Sequence, residues 1–417
     1  MKFNYSKIFL VGFGSFGFSL VWIIYNSYVP LFLESRFQLP PALIGFFMTL
    51  DNIAALLIQP PIGAFSDRLR SPLGRRLPFI LIGAPVAAVV FGLIPLAGAL
   101  PLFVACTTTL LLSMALWRTP VVALMADVTP SDKRSQANGI TNFMGGIGGI
   151  IGALGGSALF RVNEAYPFWL GSGLMVLAAL MLLLFVKEPR EHLENREVIP
   201  GFIDTLKSVL RNREKSVLFM LCAILTGYLA YNAIEAFFTL YAVNHLKLSG
   251  ADGANLLGQF VLTLVLFAIP AGWIGSRIGR RVTIISGFAV LAAILLVIFW
   301  LPAAQLSIPL ASAPALGTIR VVGTLLMVGG AAWALVNVNV LPVMVDMTED
   351  RSVGTYTGIY YISYTLAAIL GPNLNGWVVQ FSGGNYNLVM FTSALFFSIA
   401  ILCMTGVRRG EAKRQGG

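Results

Sequence analysis

Twelve stretches of roughly 20 residues with little or no charge run through this chain, each long enough as a helix to cross a hydrocarbon core of about 30 Å. They fall near 8–33, 41–65, 78–98, 101–126, 137–161, 165–187, 216–243, 250–274, 282–303, 318–345, 354–379 and 386–407. The runs are continuous, whereas barrel strands would alternate in segments of about ten residues, so the sequence predicts an all-α membrane protein. Composition supports this: 57% of the 417 residues are hydrophobic and 11% charged, against about 25% charged in a soluble domain. The first span is too long for a removable signal peptide and carries Asn26, so it is expected to remain in the mature protein.

The net charge of +10 does not call for a nucleic-acid partner, because the basic residues collect in alternate connections. These are Lys2 and Lys7, the arginines of 68–76, Lys133 and Arg134, the segment 187–215, residues 277–281, Arg351, and the residues after 407. Such asymmetry follows the positive-inside rule and predicts a multi-pass cell-membrane protein with both termini cytoplasmic, its cations facing lipid headgroups. Cys106, Cys222 and Cys403 fall inside spans and read as packing residues. His192 and His245 have no partner at ligand spacing, so neither a metal nor another cofactor is expected.

The charged stretch KEPREHLENREVIPGFIDTLKSVLRNREK (187–215) separates six spans from six. It divides the chain into an N-terminal bundle (1–187), a cytoplasmic linker (188–215) with a short amphipathic helix near 202–210, and a C-terminal bundle (216–417). Three matches cross that divide. GAFSDRLRSPLGRR (63–76) after span two resembles GWIGSRIGRR (272–281) after span eight. ADVTPSDKRS (126–135) after span four resembles VDMTEDRS (345–352) after span ten, and Tyr25-Asn26 in span one resembles Tyr231-Asn232 in span seven. Matching spans run in the same direction, so the halves are parallel repeats: two pseudo-symmetric six-helix bundles that can rock about a site near the bilayer midplane.

The loop GAFSDRLRSPLGRR resembles the signature that major facilitator proteins carry between helices two and three. Tyr-Asn-x-Tyr-Val-Pro (25–30), Gln59-Pro60-Pro61-Ile62-Gly63, SDR…GRRLPF (66–79) and ALMADVTPSDKRSQAN (123–138) more narrowly resemble the sucrose/proton symporter branch. That branch borders the glycoside-pentoside-hexuronide cation symporters. The resemblance implies the major facilitator fold and a latch at the cytoplasmic gate, formed by Gly63, Asp67, Arg75, Arg76 and Arg134, with Arg277 and Arg280 in the second copy. Asp67 would meet the N-terminus of span eleven near Gly354, while Asp127 would pair with Arg134 and Asp346 with Arg351. The sequence departs from the branch in two places. Val122 and Leu111 stand where plant sucrose carriers have an Arg and an Asp, with Arg118 displaced by one turn. Gln59 and Ala55 stand where sodium-coupled melibiose-type carriers have acidic or amide groups, which favours protons over sodium.

A charge at the bilayer centre costs about 2.5–3.5 kcal/mol on insertion scales, so one retained there tends to face a cavity. Asp51, Arg118 and Glu235 are such residues. Asp51 reads either as a proton carrier or as a packing carboxylate, and Glu235 as a proton site or part of an outer rim. Arg118 can offer its fork to sugar hydroxyls or substrate, or pair permanently with Asp51. Its repeat-equivalent is Asn337, and a charge in one half opposite an amide in the other suits an asymmetric neutral ligand. Sugar sites combine amides with aromatic faces, which makes Tyr25, Asn26, Asn232, Trp333, Asn337, Asn339, Tyr360 and Tyr364 candidates for substrate contact. Arg320 is expected to snorkel to the interface. The glycines of GGIGGIIGALGG (145–156) read as close helix packing, since neither a preceding strand nor a GK[ST] makes them a phosphate loop.

The expected function is secondary active transport: proton-coupled symport of a sugar, a di- or oligosaccharide or glycoside, by alternating access. The substrate, protons and lipid are then the partners, and the protein is expected to act as a monomer. The alternatives are a proton-coupled exporter of a drug or apolar metabolite, or a membrane sensor that does not transport. An enzyme is disfavoured, because no His-rich metal set, activated Ser or Cys, or nucleotide loop is evident.

Overall fold

Within lipid each backbone N–H and C=O must find its partner inside the chain, so long apolar runs become helices. The computed structural model describes residues 5–69, 71–130, 133–186, 215–313, 316–347 and 353–408. The linker expected at 188–215, including its amphipathic helix, therefore lies outside the described residues except for Lys215, as do His192 and Arg351.

All twelve expected spans are helices. The first half holds α1 (Tyr5–Ser35), α2 (Pro41–Arg68), α3 (Leu77–Leu96), α4 (Leu100–Asp127), α5 (Arg134–Ile150, continued to Val162) and α6 (Tyr166–Phe185). The second holds α7 (Ser216–Asn244), α8 (Gly250–Ile278), α9 (Arg280–Trp300), α10 (Val321–Asp346), α11 (Val353–Phe381) and α12 (Leu388–Thr405). Among the described residues eleven helices are long and apolar enough to cross a membrane by composition alone. The twelfth, α11, equals α7 and α8 in length at 29 residues but carries more hydroxyl and amide groups. A short antiparallel hairpin, β1 (Pro309–Ala313) and β2 (Gly317–Arg320), precedes α10. Span ten accordingly begins at Val321 and not at 318, because residues 317–320 are extended and paired.

The sequence repeat is also a structural repeat. In the first half α1 packs on α5 and α6, α3 on α4 and α6, and α2 on α4. Each pairing recurs six helices later: α7 on α11 and α12, α9 on α10 and α12, and α8 on α10. The turn glycines of the two arginine loops share one left-handed conformation, φ 110° at Gly74 and 108° at Gly279, a region that L side chains enter only at a cost. Arg75 pairs with Asp127 at 2.8 Å, and the equivalent Arg280 pairs with Asp346.

The halves meet along α2–α11 and α5–α8. The α5 glycine series serves packing: a Cβ on Gly148 would lie 2.2 Å from the Phe16 carbonyl oxygen of α1. A π turn over Ile151–Gly155 interrupts the same helix. The α2–α11 contact is just as close. A Cβ on Gly45 would lie 2.4 Å from the Pro372 carbonyl oxygen, and one on Gly376 would lie 2.6 Å from that of Pro41. Over Pro41–Phe47, α2 buries Ala42, Ile44, Gly45 and Phe47, whereas over Leu50–Arg68 its one buried residue is Ser66. The halves are thus closed at the end bearing the hairpin and parted toward the end bearing the arginine loops.

Replacing Gly376 by Leu should wedge α2 from α11 and open the hairpin end. In a cysteine-free background, labelling of Ala236→Cys by an impermeant maleimide added from that side should rise several-fold. Unchanged labelling would show that this glycine contact does not hold the seam shut.

Candidate functional site

Where the two halves part, side chains from α1, α2, α7 and α11 enclose a cavity of about 170 Å³. Trp22 and Asn26 come from α1, Asp51 and Asn52 from α2, Tyr231, Asn232 and Glu235 from α7, and Tyr364 from α11. A second chamber of about 140 Å³ adjoins it, sharing Trp22, Asp51, Asn52 and Tyr364 and adding Phe18, Gln59, Leu111, Met114 and Arg118. Helical spacing explains the set: Trp22 and Asn26, like Tyr231 and Glu235, lie four residues apart on one face.

The Asn26 Nδ2 donates to Glu235 Oε1 at 3.0 Å, a hydrogen bond that joins the two halves inside the cavity. Asp51 accepts from the Asn52 amide at 2.8 Å. Arg118 does not form an ion pair with Asp51; its guanidinium carbon instead sits 4.2 Å from the centre of the Phe18 ring. Although it lies midway along α4, Arg118 is exposed, and the surface it faces is the chamber it lines. Neither Asp51 nor Arg118 points away from the seam.

The other expected contacts divide. Asn26, Asn232 and Tyr364 line the larger chamber, and Asn232 also donates to the Tyr228 carbonyl at 2.7 Å. Asn337 is exposed and accepts from the Tyr228 hydroxyl at 2.8 Å, which in turn meets the Tyr360 hydroxyl at 3.1 Å. Trp333 and Tyr360 are buried. Trp333 lies behind the cavity wall, stacked on Tyr231 with ring centres 4.4 Å apart. Tyr25 is buried and stacked on Trp22. Asn339 is buried too and donates to the Ala271 and Leu335 carbonyls, which makes it a packing group between α10 and α8. Trp22, Asn52 and Tyr231 were missed as lining residues, yet each had a signal: Trp22 lies one turn before Asn26, Asn52 adjoins Asp51, and Tyr231 belongs to the repeated Tyr-Asn pair.

The hairpin end is closed by polar contacts between the halves. Glu34, at the end of α1, accepts from Asn244 at 2.7 Å and from the Tyr386 hydroxyl. Arg161 pairs with Asp252 at 2.8 Å, and Asn255 donates to Ser157 at 3.3 Å. Arg320, at the outer start of α10, donates to the Ser307 carbonyl and lies 4.0 Å from Asp252.

At the other end the described pairs stay within one half. Asp127 accepts Arg75 and Arg76, while Arg76 also reaches Asp67 at 2.5 Å and Ser66 at 2.7 Å. The partners found for Asp127 and Asp346 are thus arginines of the repeated loops. Arg134 opens α5, but its side chain lies outside the described residues, as does that of Gly354's neighbourhood at 353–355. Arg277 stacks on Trp273 with its guanidinium carbon 4.0 Å from the ring centre, and Gly63 lies against Thr119 of α4.

The sequence pattern of the Major Facilitator Superfamily matches residues 11–323 and 254–417, and the chain belongs to that family. It is therefore a multi-pass membrane protein of that family. Multidrug resistance protein 1 of Bacillus subtilis (strain 168) is 25% identical over 250 residues, covering 58% of this chain and 62% of that one. Sucrose transport protein SUC3 of Arabidopsis thaliana is 26% identical over 174 residues, 36% of this chain and 29% of that protein. The matched stretch spans less than two thirds of either relative. The solved structure of the nucleoside transporter NupG aligns with a TM-score of 0.73 at 14% identity, covering 97% of this chain and all of that one, a likeness of fold.

Asp127 holds two arginines with little solvent to screen them, its side chain 14% exposed. Asp127→Ala should take one carboxylate from both arginines, leaving Arg76 its contacts with Asp67 and Ser66, and destabilise the N-terminal half by about 2 kcal/mol. The check is the melting temperature in detergent: a value within a degree of the parent would show that the network contributes nothing to stability.

Proposed function

We propose that this carrier couples the entry of a sugar to the entry of protons. The observation that carries the proposal is the composition of the seam: two carboxylates from opposite halves, Asp51 and Glu235, share one cavity with Asn26, Asn52 and Asn232 and with the faces of Trp22, Tyr231 and Tyr364. Amides serve the donor and acceptor pattern of sugar hydroxyls, and aromatic faces cover the weakly apolar side of a pyranose ring. Carboxylates in a low-dielectric gap can carry a proton across as access changes. The partial similarity to a sucrose transport protein points the same way.

By the positive-inside rule the arginine loops face the cytoplasm, together with both termini, and the cavity then opens inward. Segment 188–215 would connect the two moving bodies. When the carrier faces outward, Asp67, Arg75, Arg76 and Arg134, with Arg277, Arg280 and Arg351, would close the cytoplasmic side. In the inward-open form Asn26 and Glu235 hold the halves together below the closed end, so protonation of Glu235 would weaken a contact that must break for the site to face outward. Asp51 is the leading proton carrier, because it borders both chambers.

Export of an apolar compound is the second reading. The partial similarity to a multidrug resistance protein favours it, as do Phe18, Leu111 and Met114 in the smaller chamber.

Liposomes holding the purified protein and an internal pH dye distinguish the two. Sugar-dependent acidification is expected; proton movement in the opposite sense, driven by lipophilic cations with no response to any sugar, would establish the exporter. Asp51→Asn should abolish uphill uptake, leaving counterflow within about threefold of the parent. Uphill uptake at the parental rate would remove Asp51 from the coupling step.

A further inference from the structure

Building on the transport function proposed above, we infer that the substrate carries an anionic group, such as the carboxylate of a sugar acid, and that Arg118 receives it in the smaller chamber.

Several arginines near the helix ends have N–H groups engaged by carboxylates or carbonyls, although Arg277 is placed only against the Trp273 ring. Arg36 reaches Glu164 and the Pro95 carbonyl, Arg161 reaches Asp252, and Arg281 reaches the carbonyls of Met404 and Thr405. Arg118 differs. The guanidinium carbon of Arg118 lies over the Phe18 ring, 4.2 Å from its centre, and an aromatic ring offers none of the oxygen acceptors that a guanidinium fork is shaped to meet. Among the described residues no carboxylate comes within 4.0 Å of it. Its repeat-equivalent, Asn337, has its oxygen occupied by the Tyr228 hydroxyl, so the two halves differ in what they leave open to a ligand.

The chamber around Arg118 sharpens this. Gln59 and Asn52 add neutral polar groups, while Phe18, Leu111 and Met114 make the rest of the wall apolar. A fixed cation in such surroundings attracts an anion far more strongly than it would in water. A planar fork also matches a carboxylate in two parallel hydrogen bonds, which a single neutral hydroxyl cannot fill. A neutral ligand, expected from the pairing of a charge with an amide, would leave unfilled a guanidinium that no protein carboxylate approaches within 4.0 Å among the described residues.

The shared wall gives the anion a second consequence. Asp51 borders both chambers. Ionised, it partly balances Arg118 and repels a second anion; protonated, it leaves Arg118 to the substrate. The other groups facing this space are Glu235 and Tyr231 of α7 and Tyr364 of α11. Glu235 adds to the repulsion while ionised and is held by Asn26, and the two phenols are neutral near pH 7 by their ordinary titration range. Proton and anion would therefore enter the seam together, because each lowers the cost of the other.

The test uses full-length protein, matched ligands and two measurements. Glucose and glucuronate, and galactose and galacturonate, differ at one carbon, which carries CH₂OH in one member and a carboxylate in the other. Thermal stabilisation of the purified protein reports binding, and acidification of dye-loaded liposomes reports transport. The hexuronates should act at concentrations at least about tenfold below those of the hexoses. Arg118→Gln should erase that preference and Arg118→Lys should retain part of it. Asp51→Asn, which leaves Arg118 in place, should bind hexuronate with little dependence on pH. Equal or better action of the neutral hexoses on the parent, or a preference that survives Arg118→Gln, would overturn the inference while leaving sugar transport standing. If no sugar of either kind binds or moves protons, both the inference and sugar transport fall. Hexuronate binding lost in Arg118→Gln, without proton movement, would uphold the anion site and remove proton coupling.

Discussion

An unpaired polar group in hydrocarbon costs several kcal/mol, and nearly every feature of this protein follows from that penalty. Backbone amides are satisfied by winding the chain into helices, and outward surfaces stay apolar. Charged side chains retained at mid-depth then have one place to go, the seam between the two halves. Asp51, Arg118 and Glu235 come from α2, α4 and α7, far apart in sequence, yet all border the same pair of chambers. The seam is thus where the helices part and where the polar chemistry collects.

Symmetry and its breaking have separate tasks. The five helix pairings, the two left-handed glycine turns and the Arg75–Asp127 and Arg280–Asp346 pairs recur in both halves, giving two bodies of matched shape. The chemistry is asymmetric: Arg118 corresponds to Asn337, Glu235 to Val29, and Asp67 to Ser276. Two matched bodies can rock symmetrically, while a ligand binds a site that is different on its two sides.

The closure of the hairpin end is held by contacts that are individually modest. Exposed ion pairs such as Arg161–Asp252 contribute about 0–1 kcal/mol and ordinary hydrogen bonds about 1 kcal/mol. A handful of them, with a close glycine contact between α2 and α11, holds one conformation without fixing it permanently. Equilibria between states a few kcal/mol apart are what a ligand or a proton can shift.

Long stretches with little charge marked out the twelve helices, eleven of them by hydropathy as well among the described residues, because the length of an uncharged span is a local property; the two arginine loops likewise followed from repeated letters. Mid-span charge picked out Asp51, Arg118 and Glu235, since its cost does not depend on which neighbours are present. Which polar side chains face the cavity was not legible. Asn339 and Trp333 have the same composition and depth as true lining residues, but rotation about the helix axis turns Asn339 toward α8 and sets Trp333 behind Tyr231. The partners of Asp127, the latch around Glu34 and the Phe18 ring against Arg118 are contacts between helices distant in sequence. They were decided by packing, which sets the rotation of each helix about its axis, and hydropathy in so uniformly apolar a chain leaves that rotation almost free.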